Sequence, residues 1–530
     1  MHPRPILLFG VLSALCFLAC APDDDSTSHE VYDAKGRLVR PVPTPTHPPN
    51  LILIVVDSLR HDAYATPGDD SVAARTARAR MPFLSELAAR GLAFEHAAAS
   101  APWTLPSMMS LFTGLLPSEH GQYAVHADWK LPEAITTYAE ILSRAYRYET
   151  AAFLNGPWFE RSAESLLQGF QATAVHYTLQ DERAVARWAS RRDPTRPFFL
   201  TLHTFDAHDP YGEENHPWPI PTFSGPPPVD ETLLEPDVPA REVFRACSLS
   251  ADARLALSIL RGDSLGTTIQ RYRAKGYPAA PDPALAEELA AAYWRGVTWT
   301  DGLLRKSFAH LEALGLLKDT LVVVTADHGE SLGEHDYLGH GLRLTDPVVR
   351  IPLVMVGPGP FQGGHRIREQ VGLIDVLPTF FDFAGLAPLA DTAGRSVMPV
   401  LRGDSWCRPV VIEERLTRAN TGSNTDAVRV AARTPAWKYV ATFDLVSGEV
   451  REEAYHLATD PEELLDVADG TGHLPDGHAF DACICPTITA LRARIWSSPR
   501  NAASEVGAVP YGSAAPRARS LAPAPCAPRE

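Results

Sequence analysis

Asp57 closes the run LILIVVD, His208 lies just past FFLTLHTF, and the pair Asp327-His328 closes TLVVVTADH. Each run is short, continuous and apolar, as expected of a strand buried on both faces of a parallel sheet. In open sheets of that kind, ligand sites form beyond the carboxyl ends of the strands. One Asp after a strand is usually a turn former or a helix cap; several titratable groups at one edge point to a site. Asp57, Asp327 and His328 supply oxygen and nitrogen donors suited to Zn²⁺ or Mn²⁺, and with further oxygen ligands to Mg²⁺ or Ca²⁺.

A hydroxyl group stands where such a cation could activate it. In APWTLPSMMSLFTG, Thr104 directly precedes Leu-Pro-Ser and a short apolar run. A helix starting at Leu105, with Pro106 in its first turn, would make Thr104 its N-cap. A free Thr hydroxyl is a poor nucleophile at neutral pH, and metal coordination corrects this by lowering its pKa. The N–H groups at the mouth of the helix, with Ser107 among them, could face a phosphate or sulfate. Thr104 is therefore a candidate catalytic group and fourth metal ligand, and Ser107 a candidate substrate contact. His208 and His340 could donate to the oxygens of a bound oxyanion or protonate a leaving group. His203, His335 and Asp206 are weaker candidates, expected to support these residues.

The elements that must position them read as an α/β domain. Strand candidates lie at Leu51–Asp57, around Ala151, and at Phe198–Phe205, Thr320–Asp327 and Ile351–Gly357. Helical patterns such as MPFLSELAARG and AEELAAAYWRGVTWTDGLLRKSFAHLEALG lie between them. Strands alternating with helices indicate a large, mostly parallel sheet flanked by helices. This catalytic domain is assigned to residues 50–404, with a Pro-rich insertion at about 212–280. Residues 405–497 change style, and WKYVATFDLVSGEVREEAY reads as a hairpin in a smaller antiparallel subdomain. The Ala- and Pro-rich tail, 498–530, reads as disordered.

The formal net charge of −16 argues against nucleic acid as a partner. It leaves an anionic substrate open, because a bound cation can reverse the charge locally. At the N-terminus, Arg4 precedes an apolar run from Ile6 to Ala19, too short for a comfortable membrane span and suited to an export signal. Residues 1–20 end in FLAC, like a bacterial lipoprotein box with Cys20 as the lipidated residue, and 21–49 form a Pro-rich tether. An ordinary cleaved signal with an incidental Cys is the alternative. Beyond Cys16 and Cys20 of the signal, five cysteines remain, Cys247, Cys407, Cys483, Cys485 and Cys526, whose pairing sequence leaves open.

Several segments, in order, resemble the sulfatase family of the alkaline phosphatase superfamily. NLILIVVDSLRHDAY is similar to its first metal-binding strand and APWTLPSMMSLFTGLLPSEHG to its nucleophile segment. HTFDAHDPY resembles its substrate-histidine loop and VVVTADHGESLGEHDYLGHG its second metal motif. RIPLVMVGPG, GLIDVLPTFFDFAG and AYHLATDPEELLDVAD continue the series to Asp469. The resemblance implies an alkaline-phosphatase-like sandwich, a divalent metal and an ester substrate, whether a small molecule, a glycan or a lipid. Sulfate-cleaving members carry C-x-P-S-R, whose Cys becomes formylglycine; here the segment is Thr104-Leu105-Pro106-Ser107-Met108. Ser58 stands where a second Asp is usual, and His340 where Lys is usual. These departures resemble the phosphotransfer side of the superfamily, such as the phosphoethanolamine transferases and lipoteichoic-acid synthases.

Three functions follow for testing: a metal-dependent hydrolase or transferase of phosphate esters using Thr104, a sulfatase working without formylglycine, or a surface lipoprotein that only binds. An exported lipoprotein also makes a direct prediction. Cys20→Ala should lose acylation and move the protein from the membrane to the soluble fraction, read by labelled fatty acid and fractionation; retention at the membrane would point to another anchor.

Overall fold

LILIVV contains no side chain that profits from facing water, and in the computed structural model it forms the centre of a nine-stranded sheet. The structure describes residues 48–496 apart from 124–129, 157–158, 160–163, 209–282, 388–391, 418–425 and 469–479, together with a short pairing of Val31–Tyr32 with Leu38–Val39. The signal, most of the tether, the insertion and the tail expected from the sequence lie outside the described residues.

The strands are β1 (Asn50–Val56), β2 (Leu92–Ala98), β3 (Glu149–Phe153), β4 (Ala172–Ala174), β5 (Phe198–Thr204), β6 (Thr320–Thr325), β7 (Arg350–Ile351), β8 (Leu353–Val356) and β9 (His365–Gly372). Their order is β7-β2-β8-β6-β1-β5-β3-β4, with β9 also paired to β2. β1 lies between β5 and β6, parallel to both, with Val55 opposite His203 on one side and Thr325 on the other. The carboxyl ends of these three strands therefore finish level. The segment Ile351–Gly357 is split at Pro352, which has no N–H for the ladder, and β8 runs antiparallel to β6. The direction has a topological reason: residues 326–349 stay at the carboxyl edge, so the next strand must start there and run back.

Helices flank this sheet. They include α1 (Val72–Arg80), α2 (Pro82–Arg90), α3 (Thr104–Thr113) and the 31-residue α4 (Pro283–Ala313). α2 has no side-chain cap of its own. Asp301 of α4 supplies one, accepting from the Phe83 and Leu84 N–H groups at 2.8 and 2.9 Å. Orphan donors at a helix start are thus satisfied by a neighbouring helix, which fixes the packing of the two.

The C-terminal part is a separate antiparallel sheet, β10 (Val410–Leu416), β11 (Ala427–Arg433), β12 (Lys438–Asp444) and β13 (Val450–Tyr455), paired in that order. Its alternating residues give it two apolar faces. Ala432, Tyr439 and Ala454 pack with Phe480, Ile484 and Ile488, the last two just before and within a final helix, Cys485–Trp496. Ile412, Ala431 and Val440 pack with Ala98, Val348 and Val349 of the catalytic part. Cys407 is bonded to Cys483, a pairing the sequence left open.

A buried charge cluster crosses the same interface. Asp346 accepts from Arg433 at 2.9 and 2.6 Å and from Lys438 at 2.6 Å, while Lys438 also meets Glu463. Burial opposes the Asp346 charge, but Arg433 and Lys438 outweigh it and hold the carboxyl well below its usual range. A depressed carboxyl stabilises the fold above its unfolded pKa, and that contribution is lost only as pH falls through the folded value. Asp346→Ala would leave two buried cations short of a partner. It should cost about 3–5 kcal/mol at neutral pH, measured by urea unfolding, with the loss shrinking in strong acid; a loss below about 1 kcal/mol would show that the cluster relaxes.

Candidate active site

The turn after β1 is held in an unfavourable conformation. Ser58 has φ of 60°, the left-handed region that a residue with a Cβ adopts at a cost of about 1 kcal/mol or more. Three contacts hold it there. Its hydroxyl donates to Asp57 Oδ1 at 3.0 Å, its N–H points at Asp327 Oδ1 at 3.4 Å, and its carbonyl accepts from the Tyr293 hydroxyl at 2.9 Å. Tyr293, on α4, also accepts from the Arg60 N–H at 2.9 Å. Arg60 then spans to the loop after β6, donating to the Glu330 carbonyl at 2.9 Å and to Glu334 at 2.7 Å.

Level strand ends bring Asp57 and Asp327 together with His328, all completely buried. His328 Nε2 lies 3.4 Å from Asp57 Oδ1 and 3.5 Å from Asp327 Oδ2. Thr104 Oγ1 joins them at 3.3 Å from Asp57 Oδ2 and 3.2 Å from His328 Nε2. Donor atoms bonded at 2.0–2.1 Å to one tetrahedral cation would stand about 3.3–3.4 Å apart, so these separations fit one divalent ion. Among the described residues, Asp57, Asp327 and His328 offer donor atoms all within 4.8 Å of one another. Asp327 Oδ2 is buried without a hydrogen-bond partner, as a ligand atom would be. His328 Nδ1 faces the Gly329 carbonyl at 2.9 Å, which assigns the proton to Nδ1 and leaves the Nε2 lone pair toward the carboxylates. Burial pushes this imidazole below its usual range despite Asp327, favouring the neutral, ligating form.

α3 begins at Thr104 itself, with Trp103 extended in the cap position. The expected capping role is thus not the one Thr104 has: its hydroxyl is turned to Asp57 and His328. Ser107, expected to meet substrate, is fully buried and donates to the Asp327 carbonyl at 2.6 Å. It ties α3 to the loop after β6, because a hydroxyl inside the first turn reaches main chain sooner than solvent. Met108, where sulfate-cleaving members carry Arg, is wholly buried in the main apolar core.

Both expected histidines reach the site. His208 stacks on Phe205 with ring centres 3.8 Å apart and lies 4.9 Å from the His340 ring. The His340 ring lies 4.4 Å from that of His328. His203, ranked as supporting, lies closer to the carboxylates than its rank suggested: its Nε2 is 3.5 Å from Asp57 Oδ2 and 3.9 Å from Asp327 Oδ2. Asp206 accepts from Thr204 beside it, and burial raises its carboxyl above the usual range. His335 belongs elsewhere, depressed by burial and by the charges of Arg343 and Lys438.

Arg60, Tyr293 and Glu330 were not anticipated. Glu330 is fully buried, with its carboxylate oxygens 3.0 and 3.2 Å from His340 Nδ1. A signal for it was present in DHGE, where an acid follows two ligands within one short loop. Tyr293 had none, since an aromatic on an amphipathic helix reads as core.

A family model described as sulfatase matches residues 49–386. Arylsulfatase K of Mus musculus is 23% identical over 495 residues, covering 87% of this chain and 81% of that protein. Choline-sulfatase of Rhizobium meliloti (strain 1021) is 24% identical over 498 residues, covering 84% and 86% respectively. Among solved structures, the phosphonate monoester hydrolase of Agrobacterium radiobacter aligns with a TM-score of 0.57 at 20% identity, covering 84% of this chain and 96% of that one. At that identity the structural likeness concerns the fold.

If the cluster holds a cation, chelation should lower the melting temperature and a divalent ion should restore it. Asp327→Ala should abolish both the response and the bound metal, measured by elemental analysis and thermal unfolding. Full metal content in Asp327→Ala would exclude this residue as a ligand.

Proposed function

Because the chain belongs to the sulfatase family, we propose that it is a metal-dependent hydrolase or transferase of phosphate esters, with Thr104 as nucleophile. The observation that carries this reading is the Thr104 hydroxyl, 3.3 Å from Asp57 and 3.2 Å from His328, in the position where the formylglycine-forming Cys is absent. Asp57, Thr104, Asp327 and His328 are the residues that would hold a divalent ion. Such an ion, when bound, would lower the hydroxyl pKa and offset charge on the ester oxygens.

Thr104 Oγ1, its proton lost to solvent, forms the bond to phosphorus as the bond to the leaving oxygen breaks. His208 and His340 bear on the remaining oxygens, and His340, carrying a second proton on Nε2, gives that proton to the departing alcohol. Water or an acceptor alcohol then takes the group from Thr104. Phosphoryl transfer asks mainly for positioning and charge stabilisation, which this set can supply.

Sulfate esters are the second reading, favoured by the names of the relatives, arylsulfatase K and choline-sulfatase. It ranks lower because a Thr-sulfate lacks the elimination route that a formylglycine hydrate provides. We also propose export and a lipid anchor at Cys20. The Cys407–Cys483 bond supports export, since such bonds persist in oxidising compartments.

An assay of the metal-loaded protein on aryl phosphate monoesters, phosphodiesters and aryl sulfates separates the readings. Thr104→Ala should lower kcat/KM on the preferred ester at least about 1,000-fold, and Thr104→Ser should keep measurable activity. Wild-type protein quenched during turnover should carry the transferred group on the Thr104 peptide, read by mass spectrometry. Full metal-dependent activity in Thr104→Ala would rule out the nucleophile, and preference for aryl sulfate would favour the second reading.

A further inference from the structure

Glu330 and His340 are ten positions apart in sequence, and each has its main chain fixed independently of the other. The Glu330 N–H donates to the Pro347 carbonyl at 2.9 Å, and its carbonyl accepts from Arg60 at 2.9 Å. The preceding residue must be Gly, because a Cβ on Gly329 would lie 2.2 Å from the Pro347 oxygen. The His340 carbonyl accepts from the Tyr337 hydroxyl at 2.5 Å, and the next N–H, of Gly341, donates to Pro102 at 2.9 Å. With both backbones held, the freedom left in this pair is the orientation and tautomer of the His340 ring. Glu330 acts on that freedom: both of its oxygens are within 3.2 Å of Nδ1.

A neutral imidazole has one donor and one acceptor nitrogen, and the partner of one nitrogen decides what the other can do. A carboxylate accepts and never donates, so it requires hydrogen on Nδ1. The opposite edge of the ring carries Nε2, and the His328 and His208 rings lie 4.4 and 4.9 Å from the centre of the His340 ring. A fully buried carboxylate is costly to keep, and packing alone would be served by Gln or Leu.

We propose that Glu330 is a positioning residue for His340: it holds one proton on Nδ1 and locks the ring so that Nε2 is the nitrogen that meets the ester and that takes up and gives the proton passed to the leaving alcohol. The assignment of a ligand to that nitrogen rests on the function proposed above; the pairing itself does not.

Two measurements test it. In the first, Glu330→Ala, Glu330→Gln and His340→Ala are compared on the preferred ester in metal-loaded protein. Loss of a residue that orients a functional group typically costs 10–100-fold. Glu330→Ala should therefore lower kcat by about 10–100-fold with KM changed by less than about 3-fold. Glu330→Gln, which keeps an acceptor but loses the charge, should fall between it and the wild type. Because Glu330 acts through His340, adding Glu330→Ala to His340→Ala should produce no further loss. Losses that multiply in the double variant, or a Glu330→Ala kcat within about 2-fold of wild type, would overturn the proposal.

The second measurement needs no turnover. In ¹⁵N-histidine NMR spectra, the His340 signal is identified by its loss in His340→Ala. It should show Nδ1 protonated in the wild type and a shift toward the other tautomer in Glu330→Ala or Glu330→Leu, which remove the acceptor. An unchanged signal would overturn the proposal even if the protein acts on none of the esters tested, whereas a shifted signal in an inactive protein would count only against the proposed reaction. Glu330→Leu provides the reading if Glu330→Ala does not fold.

Discussion

Two carboxylates, Asp57 and Asp327, are buried without solvent at the ends of adjacent parallel strands. Each costs several kcal/mol to remove from water, and their mutual repulsion adds to that. Much of the surrounding architecture answers this constraint. The His328 N–H donates to Asp327 at 3.0 Å, Ser58 donates to Asp57, and the His203 and His328 rings face both acids. A divalent cation among these donors would complete what the Ser58 hydroxyl and the backbone N–H groups do in part.

The same constraint explains why so much structure lies behind the site. The left-handed Ser58 turn persists because Tyr293 and both acids hold it, and Tyr293 is placed by a helix 31 residues long. Arg60 joins the loop after β1 to the second loop, after β6. Behind the second loop, the short helix Asp346–Val349 is clamped by Arg433 and Lys438 from the antiparallel sheet. That sheet thus reaches the loop after β6 through Pro347 and Val348, whose carbonyls accept from the Glu330 and Gly329 N–H groups, in an approach that leaves no room for a Cβ on Gly329. Rigidity at each step keeps donor atoms in place to within the few tenths of an ångström that a metal site demands.

Family and chemistry part company in α3. The fold and the strands that end in Asp57 and Asp327 follow the sulfatase pattern, while Thr104 and Met108 stand where the C-x-P-S-R segment of sulfate-cleaving members has Cys and Arg. Met108 is packed into the core, so the helix face that would carry an Arg contributes to apolar burial instead. The fold supplies a cluster of metal-type donors and a helix mouth, and under the proposed function the residue at that mouth would set which ester is attacked.

Apolar runs ending in Asp57 and Asp327 were enough to read an α/β sheet and its functional edge from sequence, because strands buried on both faces admit almost nothing polar until they end. The order of the motifs added the family, and residue type added the metal donors, Thr104, His208 and His340. Direction and contact were decided only by the tertiary structure. Whether β8 ran parallel depended on where the preceding loop stayed, and the Ser107 hydroxyl found a carbonyl 220 positions away. Glu330, Arg60 and Tyr293 gained their places through contacts between distant segments, which no local spacing encodes. Local sequence determines what a strand buries and which chemical groups stand at its end; only packing decides which nitrogen, oxygen or carbonyl each group faces.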